Sequence, residues 1–312
     1  MSGAASRMRW AALVRAGLGA ACLLVVAWVA VSRWSALAAG HPAYPLLLVA
    51  LALLGVVLPA RIGRPRRDGR WAIAGRVAGA VLLVVVLCYT AWLRPFAAEP
   101  AAVAATASTP TVEVVDDPTT WELRPRGGQT DVGIVFFPGA LVDPRAYLPV
   151  LRPLAERGHL VVVVKPPFGV ALLSTADAAL DDHPEVTRWA VGGHSLGGVA
   201  AATQAAAGDG RVRGVFFWAS YPNRDLSPTA LTAASISGDR DTVIDQARVE
   251  ASRAQLPPGS EFTVVPGAVH AFFGDYGPQP GDGAPATSRT EAQRGIVAAT
   301  ERFLDELARV TR

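Results

Sequence analysis

The sequence predicts an α/β fold, a mostly parallel sheet flanked by helices, preceded by three transmembrane helices. Three observations carry this: uncharged apolar runs confined to the first 96 residues, alternating strand and helix patterns over residues 111–312, and a glycine-framed serine where one strand meets a helix. The chain accordingly divides into a membrane section, 1–96, a linker, 97–110, and a globular section, 111–312.

The apolar runs cover about residues 16–31, 44–60 and 77–93, and none contains a charge. Each approaches the roughly 20 residues that span a bilayer. Buried core helices would give similar runs, but not three of them beside arginine-rich loops. Arg7, Arg9 and Arg15 precede the first run, and Arg61, Arg64, Arg66, Arg67, Arg70 and Arg76 separate the second from the third. Only Arg33 and Arg94 fall on the opposite side. Short basic segments stay cytoplasmic, so the expected topology is multi-pass, with the N-terminus inside and everything after the third run extracytoplasmic. Ala36-Leu37-Ala38 also reads as a signal cleavage site, but the apolar core before it is long for a secretory signal, which favours an uncleaved anchor.

Charge divides the same way. Residues 1–96 carry 11 of the 29 Lys+Arg and one acid, Asp68, whereas residues 97–312 carry 18 basic and 25 acidic residues, so net +10 stands beside net −7. The overall +3 describes neither part, and no nucleic-acid partner is implied. The expected partners are the lipid bilayer and, for the globular section, a small substrate whose chemistry the residues below identify as acyl. Both cysteines, Cys22 and Cys88, lie in the apolar runs, leaving the globular section without a disulfide framework or a thiol nucleophile.

Residues 97–110, rich in Ala, Pro, Thr and Ser, read as an exposed linker. Beyond them, 111–115 and 121–124 suggest short edge strands. A continuous apolar run at 132–137 suggests a strand buried on both faces, and 160–164, 186–191, 212–219, 231–237 and 261–265 read as five further strands. Helical patterns cover 144–157, closed by Gly158, and 289–310. Ligands of such sheets bind beyond the carboxyl ends of the strands.

Gly193-His194-Ser195-Leu196-Gly197 lies at one such end, before a small-residue helix beginning near Val199, and fits the G-x-S-x-G elbow that presents a nucleophilic serine. A tight turn with a capping serine would give the same five residues. An acid and a histidine follow later, each just after a strand: Asp241 in Gly238-Asp239-Arg240-Asp241, and His270 in Gly267-Ala268-Val269-His270.

The order Ser195, Asp241, His270 resembles that of the α/β-hydrolase family, and the resemblance extends over nearly all of residues 111–312. It implies Ser195 as nucleophile, His270 as base and Asp241 as the acid that orients the base, with Asp239 as a rival and helix capping as another use for Asp241. Imidazole titrates near neutrality and can take the serine proton, while the carboxylate sets its tautomer. The oxyanion would be held by the N–H of Leu196 and by one from Phe137-Pro138-Gly139-Ala140-Leu141. Proline has no N–H, so Ala140 is the candidate and Leu141 the alternative. His194 reads as a packing or pocket residue. Phe168, Trp218 and Tyr221 are candidates for an acyl pocket or for the core. The segments 138–144, 165–168 and 270–277 resemble a small, largely lidless bacterial branch of the family, and the short connection 220–230 leaves no room for a large lid.

No metal-ligand cluster, phosphate loop or dinucleotide fingerprint is present in the sequence, so neither metal nor cofactor is expected. The leading expectation is a membrane-anchored serine hydrolase, carboxylesterase-like, acting on an ester or related acyl bond. A catalytically silent binding domain of the same fold is the alternative. A transporter would need charged groups within the spans, and these have none.

Overall fold

The computed structural model describes residues 2–61, 69–128, 130–208 and 210–310. Arg64, Arg66 and Arg67 of the basic loop lie outside them. The chain separates into two compact units, residues 1–38 with 42–94, and residues 39–41 with 95–312.

The first unit consists of α1 (Ser2–Ala39), α2 (Ala43–Ala60) and α3 (Arg70–Trp92). Within it, Trp10–Ala39, Ala43–Ala60 and Arg70–Trp92 are long and apolar enough to cross a membrane. The first apolar run is longer than the sequence reading gave it. Arg33, expected between two helices, sits inside α1 at a break with φ −142° and ψ 17°. Small residues let α1 and α2 approach closely, since a Cβ on Gly19 would lie 2.7 Å from the Gly55 carbonyl oxygen. Cys22, Leu51 and Leu87 are buried together between the three helices.

The second unit is built on one eight-stranded sheet in the order β1-β2-β4-β3-β5-β6-β7-β8. The strands are β1 (Val112–Asp116), β2 (Thr120–Pro125), β3 (Val132–Phe137), β4 (Val161–Val164), β5 (Arg188–His194), β6 (Val212–Trp218), β7 (Thr232–Gly238) and β8 (Glu261–Val265). Antiparallel pairing is confined to β1–β2 and β2–β4, and the other neighbours are parallel. β2, read as an edge strand, lies one place in, between β1 and β4.

Side chains of β3 alternate between two cores, as a strand buried on both faces requires. Ile134 and Phe136 join residues of α5 (Leu148–Glu156) and α9 (Arg289–Val310). Val135 and Phe137 join those of α6 (Asp177–Asp182) and α7 (Leu196–Ala206). The helical pattern over 144–157 resolves into a 3-10 turn, Pro144–Tyr147, followed by α5.

Residues 97–110 differ from the exposed linker expected of them. They contain α4 (Pro100–Ala104), in which Ala102 is fully buried. Ahead of α4, Phe96 bridges to Val142 and Ala98 to Tyr276. These are mainly backbone contacts, to which an Ala-Pro-Thr composition gives no clue.

Candidate active site

Ser195 sits between β5 and α7 with no loop on either side, at φ 53° and ψ −121°. A non-glycine residue held there costs about 1–3 kcal/mol and persists only where its surroundings enforce it. Those surroundings are specific. The Ser195 N–H donates to the Trp218 carbonyl at 3.0 Å, and Ser220 Oγ donates to the Ser195 carbonyl at 2.7 Å. A Cβ on Gly197 would lie 1.9 Å from the Phe137 carbonyl oxygen, and one on Gly193 would lie 2.3 Å from the Gly197 carbonyl carbon. Gly197 thus lets the turn press against the end of β3, and Gly193 lets the elbow close on itself. α7 begins directly after the serine, three residues earlier than the small-residue pattern suggested.

Among the described residues the other non-glycine residues with positive φ are Leu141, Phe168 and Ala219. All follow the carboxyl ends of adjacent strands, β3, β4 and β6, as Ser195 follows β5. Strain of this kind gathers where function requires a fixed geometry, and this is the sheet edge at which α/β folds bind ligands.

Asp241 and His270 come from the loops after β7 and β8. His270 Nδ1 lies 2.7 Å from Asp241 Oδ2, and both side chains are fully buried. The other Asp241 oxygen accepts the N–H groups of Val243 and Ile244 at 2.9 and 3.2 Å, which fixes the carboxylate plane. Asp239, the rival acid, turns away and accepts the Gly267 N–H at 2.6 Å. His270 Nε2 is buried and makes no hydrogen bond. Ser195 Oγ therefore does not engage it in this conformation, although the ring of His194, next to the serine, lies 4.4 Å from that of His270. Catalytic hydrogen bonds are commonly long or unformed without substrate.

In the loop after β3 the backbone N–H groups differ in their partners. The Gly139 N–H donates to Tyr147 Oη at 2.9 Å, the Leu141 N–H to the Gly169 carbonyl at 2.8 Å and the Val142 N–H to the Gly139 carbonyl at 3.1 Å. Among the described residues the Ala140 N–H has no acceptor, and the residue is exposed. Leu196 opens α7, where first-turn N–H groups have no helical partner.

His194 is fully buried, its Nδ1 2.8 Å from Tyr147 Oη. Because Tyr147 Oη accepts from Gly139, its own proton goes to His194 Nδ1. Burial, then the neighbouring His270, pushes His194 well below the ordinary histidine value, so its ring is neutral. Burial likewise raises the Tyr147 phenol. This residue couples the elbow to the loop after β3, a tie that residue type and spacing alone did not reveal.

Trp218, a candidate pocket residue, belongs to the core instead. It is fully buried, and its indole N–H donates to Thr300 Oγ1 in α9 at 3.0 Å. An inward-facing position near the end of a strand decides its role. Phe168 and Tyr221 are half-buried. Asp282 had no distinguishing signal in the sequence, yet its carboxylate accepts the N–H groups of His270 and Ala271 at 3.0 and 2.8 Å and holds the backbone that carries His270. Among the described residues no group of three or more His, Cys, Asp or Glu side chains is placed to hold a metal ion.

Residues 133–294, just over half of the 312, match the alpha/beta hydrolase family. The chain belongs to the alpha/beta hydrolase family. That span of this α/β hydrolase takes in the elbow, the loop after β3 and the loops bearing Asp241 and His270, and membership supports hydrolase chemistry. Solved structures similar to it include one described as a dienelactone hydrolase from Klebsiella pneumoniae subsp. pneumoniae MGH 78578, at 18% identity and TM-score 0.42, covering 61% of this chain and 92% of that one. Another, described as a predicted CIB-like hydrolase from Thermoplasma acidophilum, has 17% identity and TM-score 0.47, covering 61% and 97%. None of the curated proteins compared matches this chain.

Proposed function

We propose that this α/β hydrolase is a membrane-anchored serine hydrolase that cleaves an ester or related acyl bond outside the cytoplasm. The observation that carries the reading is the buried Asp241–His270 pair, 2.7 Å apart, beside a serine held in the left-handed elbow.

In this reading Ser195 Oγ attacks the acyl carbon while its proton passes to His270 Nε2, the nitrogen that lacks a partner. Asp241 keeps the proton on Nδ1 and stabilises the imidazolium. Charge developing on the carbonyl oxygen is met by the N–H groups of Ala140 and Leu196. The leaving alcohol departs with the proton from His270, leaving an acyl-enzyme on Ser195. Water, deprotonated by His270, then releases the acid and restores the serine. Between β6 and β7 only residues 219–231 intervene, without a helix, so substrates of modest size reach the serine directly. The first unit serves as the anchor, with residues 61–76 on the cytoplasmic side.

A silent binding domain is favoured by one observation, the missing bond between Ser195 and His270. A fluorophosphonate probe applied to the full chain in detergent separates the two readings. Wild type should label, Ser195→Ala should not, and His270→Ala should label slower by on the order of 10²–10⁴-fold. A folded wild type that fails to label would overturn the hydrolase reading.

A further inference from the structure

Residues 95–99 straddle the sequence boundary between the membrane section and the linker, yet they belong to the second unit and meet both halves of the site. On one side the Phe96 N–H donates to the Leu141 carbonyl at 2.7 Å, and the Asp143 N–H donates to the Phe96 carbonyl at 2.9 Å. These bonds lay Phe96 alongside Val142 as a short parallel strand pair. On the other side the Glu99 N–H donates to the Asp275 carbonyl at 2.8 Å, and Ala98 pairs with Tyr276. Arg289 secures this end, with Nη1 2.5 Å from Glu99 Oε1 and Nη2 donating to the Tyr276 carbonyl at 2.8 Å. The Phe96 ring rests against that of Tyr276, 6.0 Å between centroids.

The loop that Phe96 grips is the one bearing Ala140. Its strained residue, Leu141, at φ 60°, is held through its N–H by Gly169 and through its carbonyl by Phe96. Tyr147 holds Gly139 on the other side of Ala140. With those groups occupied, the Ala140 N–H is left free and its direction is set. Removing the Phe96 hold releases one side of a peptide pair that is strained and would relax. The same five residues also hold Asp275 and Tyr276, which follow His270 on one short loop.

We infer that residues 95–99 are a positioning strap, through which the segment directly following α3 sets the Ala140 N–H for catalysis. This rests on the reading of Ala140 as an oxyanion donor. The strap touches no substrate and acts only through the two loops it joins. Chain that follows a membrane anchor would thereby be part of the catalytic unit.

The test uses the full chain in detergent, with fluorophosphonate labelling of wild type as the control for the hydrolase reading itself. Phe96→Pro removes the N–H given to Leu141, and Phe96→Leu keeps it. For Phe96→Pro with a wild-type melting curve, kcat on a short acyl ester should fall about ten- to a hundredfold with KM within about twofold, the size of effect expected from misplacing a catalytic group by an ångström. Phe96→Leu should stay within about threefold of wild type. If Phe96→Pro does not fold, Phe96→Gly, which keeps the donor but loosens the segment, should show the same split at smaller size. Wild-type kcat in a folded Phe96→Pro, or in Phe96→Gly where that variant stands in, overturns the strap while leaving the hydrolase reading intact. A wild type that does not label overturns the hydrolase reading first.

Discussion

Asp239 and Asp241 stand two residues apart on one turn, and only their hydrogen bonds separate their roles. Asp241 faces His270 Nδ1, whereas Asp239 braces Gly267. Asp241→Asn keeps the shape but offers Nδ1 the wrong partner, so kcat on a short ester should fall on the order of 10⁴-fold, while Asp239→Asn, still an acceptor for Gly267, should remain within about tenfold. Equal losses in the two variants would refute the assignment. His194 makes a prediction about stability instead. Its folded value is depressed, so near its ordinary value of 6.5 the unfolded chain binds a proton that the folded chain does not. The stability this leaves in place above pH 6.5 is therefore lost as pH falls. His159, also depressed by burial, contributes with the same sign, so the informative quantity is a difference between proteins. Between pH 6.5 and 5, His194→Asn should lose stability less steeply than wild type, by up to about 1.4 kcal/mol per pH unit, measured by unfolding at several pH values. Parallel slopes would show that His194 takes up its proton in the folded state.

Elements were legible in proportion to how thoroughly they are buried. β3 and α9 occupy the residues their patterns predicted, because a strand enclosed on both faces must be apolar throughout and a helix laid on a sheet must be amphipathic. β5 runs three residues past its apolar run. Gly192, Gly193 and His194 have little strand propensity, but they remain in the ladder opposite Phe136, Phe137 and Trp218, so tertiary pairing overrides propensity there. Glycine likewise hid the start of α7, since Gly197 and Gly198 are poor helix formers and sit where the elbow needs close approach. The candidate nucleophile, base and acid were readable because the chemistry demands particular side chains in a particular chain order. Tyr147, Asp282 and residues 95–99 were not, because their work is done by backbone groups or by a single hydroxyl or carboxylate whose target is distant in sequence. Trp218 is ambiguous in the sequence for the converse reason: an aromatic ring near the end of a strand suits a pocket and a core equally, and its full burial beneath α9 places it in the core.

At the scale of the whole molecule, net charge changes sign where the apolar runs end, and that asymmetry makes the topology testable. The basic stretch that follows α2 and runs into the first turns of α3, from Arg61 to Arg76, and the three arginines at 7, 9 and 15 together hold nine positive charges, against Arg33 and Arg94 on the other side. In the proposed topology short loops so biased remain in the cytoplasm, the chain leaves the cell interior after α3, and the strap and the hydrolase unit lie in the outer compartment. A hydrolase unit with no cysteine among residues 97–312 has no disulfides to form or reduce and is compatible with either side of a membrane. A reporter that folds only outside the cytoplasm, joined after residue 100, should be active, and joined after residue 65 it should be silent. Replacing Arg61, Arg64, Arg66 and Arg67 by glutamine should weaken that contrast, because the remaining bias is smaller. Activity after residue 65 in the unmodified sequence would reverse the topology and leave the proposed serine hydrolase facing cytoplasmic substrates, with the same residues in the same roles.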